Sequence, residues 1–117
     1  MKEGNKEAVL LLAQLYIVHD KEEKATVLLE GLQELFPRDE YVARALAWLY
    51  YLAGKYKQSL EQIELWMRTE SDPDPVLARI AALIRSSVLK KMGNTEDAKS
   101  AMEDFFKLTA KAESMRS

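Results

Sequence analysis

Apolar side chains recur at i, i+3 and i+4 through LLLAQLY, TVLLEGLQEL, VARALAWLYYL, SLEQIELW, LARIAALI and DAKSAMEDFF. This is the period of a helix with one buried face, and no stretch alternates with the two-residue period of a strand. The spacing predicts helices over 6–18, 21–35, 39–53, 56–69, 75–92 and 95–112, an all-α chain. Pro37, Pro73 and Pro75 fall between these segments, since proline lacks the amide that a helix interior needs. Asp74 before Pro75 reads as a cap followed by a first-turn residue. Gly54 and Gly93 stand where a helix reverses into the next.

The segments repeat. Residues 12–32 align with 46–66 at an offset of 34, so that Leu12 meets Leu46, Ala13 meets Ala47, Leu15 meets Leu49, Tyr16 meets Tyr50 and Ala25 meets Ser59. A third copy, 85–105, follows at an offset of 39, with the five extra residues falling around SDPDP. Two columns stay small: Ala13, Ala47 and Ser86 in the middle of each first helix, and Ala25, Ser59 and Ala98 early in each second helix. Small residues there let two antiparallel backbones cross closely, with bulkier neighbours locking either side. The bulky columns are Leu12/Leu46, Tyr16/Tyr50/Leu89 and Leu29/Ile63/Met102. Each copy therefore reads as a helix hairpin, and in the middle one Tyr50 packs, Gly54 turns and Tyr56 braces the turn.

Composition narrows what such hairpins do. The 117 residues suit one domain, and 48% apolar with 31% charged residues suits a folded chain. Seventeen basic against nineteen acidic side chains leave a net charge of −2, with no basic cluster for nucleic acid or an anionic membrane. Cysteine is absent, which excludes disulfides and thiolate metal sites. No apolar run is long enough to span a bilayer and the first residues lack a signal-peptide pattern, so a cytoplasmic location is expected.

Features that invite an enzymatic reading have plainer explanations. His19 sits beside Asp20 with no nucleophile motif, as a solvated turn histidine would. The carboxylates of DKEE, RDE and SDPDP gather at helix starts, where orphan amides and the helix dipole favour negative charge. The glycines are scattered singly, unlike a phosphate-binding loop. No catalytic residue, cofactor or metal is expected. Met67, Met92 and Met102 read as adaptable core fill, and one ring of Phe105/Phe106 as facing outward.

The 34-residue helix–turn–helix period, with Leu46, Ala47, Tyr50, Gly54, Tyr56, Ser59 and Ile63 at its marker positions, resembles the tetratricopeptide repeat. Departures are Asp20 where glycine is usual, Arg85 where leucine is usual, and Leu32, Trp66 and Phe105 where alanine is commonest. The resemblance implies one domain of three tandem repeats, about 6–38, 39–72 and 75–112, wound as a short right-handed superhelical solenoid. Three repeats without an added solvating helix resemble the small tetratricopeptide chaperones of bacterial type III secretion. The LLLAQLY, KATVLLEGLQELFP and GNTEDAKSAMEDFFKL segments look most like the Y-type chaperones, with the G-type chaperones, which hold the needle protein, as sibling. That likeness implies a non-catalytic chaperone in a heterodimer with a small helical export substrate, the X-type protein, with the export gate as a further contact. The alternative expectation is a scaffold that forms homo-oligomers.

In stacked hairpins the first helices line a concave groove. Helical spacing turns Leu10, Gln14 and Ile17 of the first copy toward it, with Tyr41, Arg44, Trp48 and Tyr51 of the second and Ile80, Leu83 and Ser87 of the third. Glu7 and Lys90 lie on the same faces. Such an apolar, ring-rich strip suits an amphipathic helix of a partner, with Trp48 as its first anchor. One cation, Arg44, is too few for a groove that clamps a terminal carboxylate.

Overall fold

The computed structural model describes residues 3–69 and 75–116. Among them the chain forms six α-helices and no strand: α1 (Glu3–Val18), α2 (Glu22–Leu35), α3 (Glu40–Leu52), α4 (Tyr56–Thr69), α5 (Pro75–Lys91) and α6 (Thr95–Arg116). The expected boundaries hold closely, except that α6 runs about a turn past residue 112. Pro75 opens α5, while Pro73 and its expected cap Asp74 lie outside the described residues. The main contacts join chain neighbours, each helix pressing on the one before and the one after.

The turns within the three hairpins are built alike. Asp20, Gly54 and Gly93 each take the left-handed conformation, at φ 58°, 77° and 81°. The amide one residue later reaches back to the last helical turn: Lys21 to the Tyr16 carbonyl at 2.7 Å, Lys55 to Tyr50 at 2.8 Å, Asn94 to Leu89 at 2.9 Å. The left-handed residue itself donates to Ile17, Tyr51 and Lys90, each at 3.1 Å. This double bond satisfies carbonyls that a helix end leaves orphaned. The carbonyls of Lys21, Lys55 and Asn94 then accept from Ala25, Ser59 and Ala98, so the next helix starts at once. The third copy, with its Arg85 and Ser86, turns like the other two.

The small columns meet at the crossings. Ala13, Ala25, Ala47, Ser59, Ser86 and Ala98 are all buried. Ser59 Oγ donates to the Ala47 carbonyl at 2.7 Å, and Ser86 Oγ to the Ala98 carbonyl at 2.9 Å. Each hydroxyl thus spends its proton on the facing helix, from the second helix in one hairpin and the first in another. Ala13 and Ala25 form the same crossing without a hydroxyl.

Between hairpins, α2 seals α3. Leu29 and Leu32 meet Val42, Leu46 and Leu49 in one buried cluster. Tyr50 adds a 2.6 Å bond from its hydroxyl to Glu30, and burial first, then that carboxylate, push its phenol well above the ordinary tyrosine value. Trp66 and Ile63 of α4 reach α5 in the same way, against Ala81 and against Ile84 with Val88. Asp39 caps α3, accepting from the Val42 amide at 3.0 Å, and pairs with Lys6 of α1. Burial works to raise the Asp39 carboxyl, but Lys6 and the Val42 amide outweigh it and hold it below the usual value.

Three expectations need correction. Leu12 does not share the burial of its column mate Leu46: it is 41% exposed against 0%, because no described element lies on the outer face of α1. Leu15, matched to the sealed Leu49, is half exposed for the same reason. Met67 and Met92 are exposed rather than core fill, while Met102 is half-buried.

Asp20 holds a conformation that glycine adopts more easily, so Asp20→Gly should raise stability by about 0.5–1 kcal/mol in chemical denaturation. A Cβ at Gly54 would touch nothing, so Gly54→Ala should cost about the same through backbone conformation alone. At the second crossing, Ser59→Ala should cost only about 1 kcal/mol, since alanine fills that column elsewhere. Ala47→Leu should cost at least about 1–3 kcal/mol by prising the helices apart, a difference that thermal unfolding of the two variants would resolve.

Candidate functional site: an aromatic groove between the third and fifth helices

Two first helices, α3 and α5, share buried clusters with α4: Ala43 with Trp66 and Ala81, and Ala47 with Ile63, Ile84 and Val88. The space left over them is an open groove of about 560 Å³. One wall is Tyr41, Arg44, Trp48 and Tyr51 of α3; the other is Ile80, Leu83 and Ser87 of α5. These seven are the positions that helical spacing selects in the second and third copies. Trp48 is 44% exposed and Ile80 42%, so the rings and aliphatic chains face solvent. Trp48 and Tyr51 are tilted against each other at 5.7 Å between ring centres, and Tyr51 meets Tyr56 at 6.0 Å.

Trp66 belongs to the groove although it stands on a second helix. Its ring is sealed between Ala43 and Ala81 and still lines the floor. Arg44 lies between two aromatic faces, its guanidinium 5.6 Å from the Tyr41 ring and 5.5 Å from the Trp66 ring. The half-buried charge is thus within cation–π reach of both rings. Ala45 and Ile84 also contribute lining. The signal for Trp66 was present in the sequence as a tryptophan where a small residue is usual; only the shortness of Ala43 and Ala81 explains how far it reaches.

The first copy does not extend this groove. Gln14 Nε2 donates to the Tyr41 hydroxyl at 2.5 Å, a bridge from α1 to α3. Beyond it, Leu10 and Gln14 line a separate, more polar hollow with Lys6, Glu7 and Asp39, and Tyr41 is shared by both. Ile17 lines neither hollow and packs half-buried against the core of α1, α2 and α3. Lys90 is exposed but lines no part of the groove. The Lys6–Asp39 pair and the Gln14–Tyr41 bond join α1 to the start of α3 where Tyr41 borders both hollows.

On the far side of Trp66 lies a cleft of about 460 Å³ lined by Ala78, Ala81, Ala82 and Ala101 with Arg85 at its edge. Arg85 occupies the column of Leu46, and its Nε is buried with no partner.

Among the described residues no group of three or more His, Asp or Glu side chains is arranged to hold a metal, and no helix is long and apolar enough to cross a membrane. The arrangement offers apolar surface, rings and one cation beside two of them. The chain matches no known family model, and no curated protein is similar to it in sequence.

The two tryptophans differ sharply in exposure, 44% for Trp48 and 1% for Trp66. Acrylamide should therefore quench the Trp66→Phe variant, which keeps Trp48, far more strongly than the Trp48→Phe variant, which should also emit at shorter wavelength.

Proposed function

We propose that the protein is a tetratricopeptide-repeat binding module without catalytic activity, whose groove between α3 and α5 holds an amphipathic helix of a partner protein. The single observation that carries this reading is the row of exposed Tyr41 and Trp48 and half-buried Tyr51 facing exposed Ile80 and Leu83 across one open hollow. A monomer that leaves so much ring and aliphatic surface wet forfeits the free energy of burying it, and such patches are usual at interfaces. A helix with anchors at i, i+3, i+4 and i+7 supplies side chains along one line, which suits a groove walled by two helices. Aromatic residues in a pre-shaped pocket are the expected centres of binding energy.

The three like turns and the small-residue crossings support the repeat assignment. The chain's size and its resemblance to Y-type chaperones support a role in type III secretion. There it would shield the apolar face of a small export substrate in the cytoplasm until export. Shielding needs no nucleotide, since covering the face is the whole task. Arg44, beside two rings of the groove, would meet an acidic residue on the partner helix and fix its register more than its strength.

Trp48→Glu, or Tyr41→Ala combined with Tyr51→Ala, should weaken capture of a co-expressed X-type partner at least about thirtyfold while circular dichroism stays helical. Calorimetry on the purified pair would measure it. Unchanged affinity in a folded Trp48→Glu variant would remove the groove reading.

A further inference from the structure

The outer face of α1 presents Leu11, Leu12 and Leu15 to solvent, at 59%, 41% and 50% exposure. The repeat register says what such a face is for. Leu12, Leu15 and Tyr16 correspond to Leu46, Leu49 and Tyr50 of α3. Those three are buried because α2 lies on them through Leu29 and Leu32, with the Tyr50 hydroxyl held by Glu30. The free face of α1 is therefore the receiving half of an interface that this chain already makes within itself.

The delivering half is also exposed, on α6. Carried along the repeat, Leu29 becomes Met102, Leu32 becomes Phe105 and Glu30 becomes Glu103. Leu32 and its other counterpart Trp66 are sealed by the hairpin that follows them, at 2% and 1% exposure. Phe105 is only half-buried, and Phe106, edge-on to it at 5.6 Å, is 62% exposed. The polar pairing survives in register as well: Tyr16 stands on α1 where Tyr50 stands on α3, and Glu103 stands on α6 where Glu30 stands on α2. The corresponding position on α5 is Leu89, so the pair is absent from the α4–α5 interface.

We propose that the occupant of the α1 face is a second copy of this chain, seated through α6. Met102 and Phe105 of one molecule cover Leu12 and Leu15 of the next, and the Tyr16 hydroxyl of the second donates to the Glu103 carboxylate of the first. The contact joins two different surfaces, so each added copy exposes a new α6 face, and assembly is open-ended rather than stopping at two. It uses neither wall of the aromatic groove, and it does not rest on that groove holding a partner.

Sedimentation velocity of the whole chain over a wide concentration range tests this. The expected result is a mass that climbs steadily beyond a dimer. Leu15→Glu, which spoils the α1 face, and Phe105→Glu, which spoils the α6 face, should each give monomers alone. Mixed together they should give a dimer and nothing larger, since one intact α6 face meets one intact α1 face. Tyr16→Phe should weaken association about tenfold, the effect of losing a hydrogen bond to a charged group. Circular dichroism checks that each variant stays folded. Trp48→Glu should leave self-association unchanged, so failure here and failure of the groove are separate results. A wild-type monomer at every concentration overturns the proposal. So does a dimer that persists in the Phe105→Glu variant, which would indicate a two-fold α1–α1 contact.

Discussion

The close crossing within each hairpin is the constraint on which the other features depend. Two helices can approach until backbone meets side chain only where both carry alanine or serine at the contact. Here they do so at Ala13 with Ala25, Ala47 with Ser59 and Ser86 with Ala98, each pair buried. Buried hydroxyls would be a cost if unpaired, but Ser59 and Ser86 each donate to the carbonyl across the crossing. The two hydroxyls come from opposite helices, so the constraint is on the crossing as a pair and not on either position alone.

Close crossings set where everything larger must go. Bulk excluded from the contact moves to its flanks, where Leu29, Ile63 and Trp66 become the surfaces that carry one hairpin onto the next. The first helices α3 and α5 share their buried clusters with α4, and the hollow over them is walled by whatever their remaining faces bear. In this chain those faces bear rings and branched aliphatics, so the hollow is an apolar groove. Arg44 is compatible with it because its guanidinium lies within cation–π reach of the Tyr41 and Trp66 rings.

The register of the hairpins brings out how α1 and α6 differ from the helices between them. Leu12 and Leu46 hold the same place in their hairpins, yet one is exposed and the other sealed in a cluster with Leu29 and Leu32 of α2. Their difference is one of position in the row and not of chemistry. Phe105 and its counterparts Leu32 and Trp66 show the same contrast at the opposite end.

Most of the architecture was legible in the chain because helices declare themselves locally: apolar period, proline, glycine and small-residue columns each act over a turn or two. Asp20 could be placed in the left-handed turn only through its alignment with Gly54 and Gly93, since aspartate by itself does not demand it. The groove walls of α3 and α5 were likewise readable, as they follow from which helix face is left after packing. Tertiary structure alone decided the rest. Leu10 and Gln14 line a separate hollow and Ile17 packs on the core, a placement set among contacts such as the Lys6–Asp39 pair and the Gln14–Tyr41 bond, between residues 33 and 27 positions apart. Whether Trp66 reached the groove depended on how little room Ala43 and Ala81 fill. Periodicity assigns a residue to a face; what covers that face is set by distant segments, and no local pattern encodes their distance.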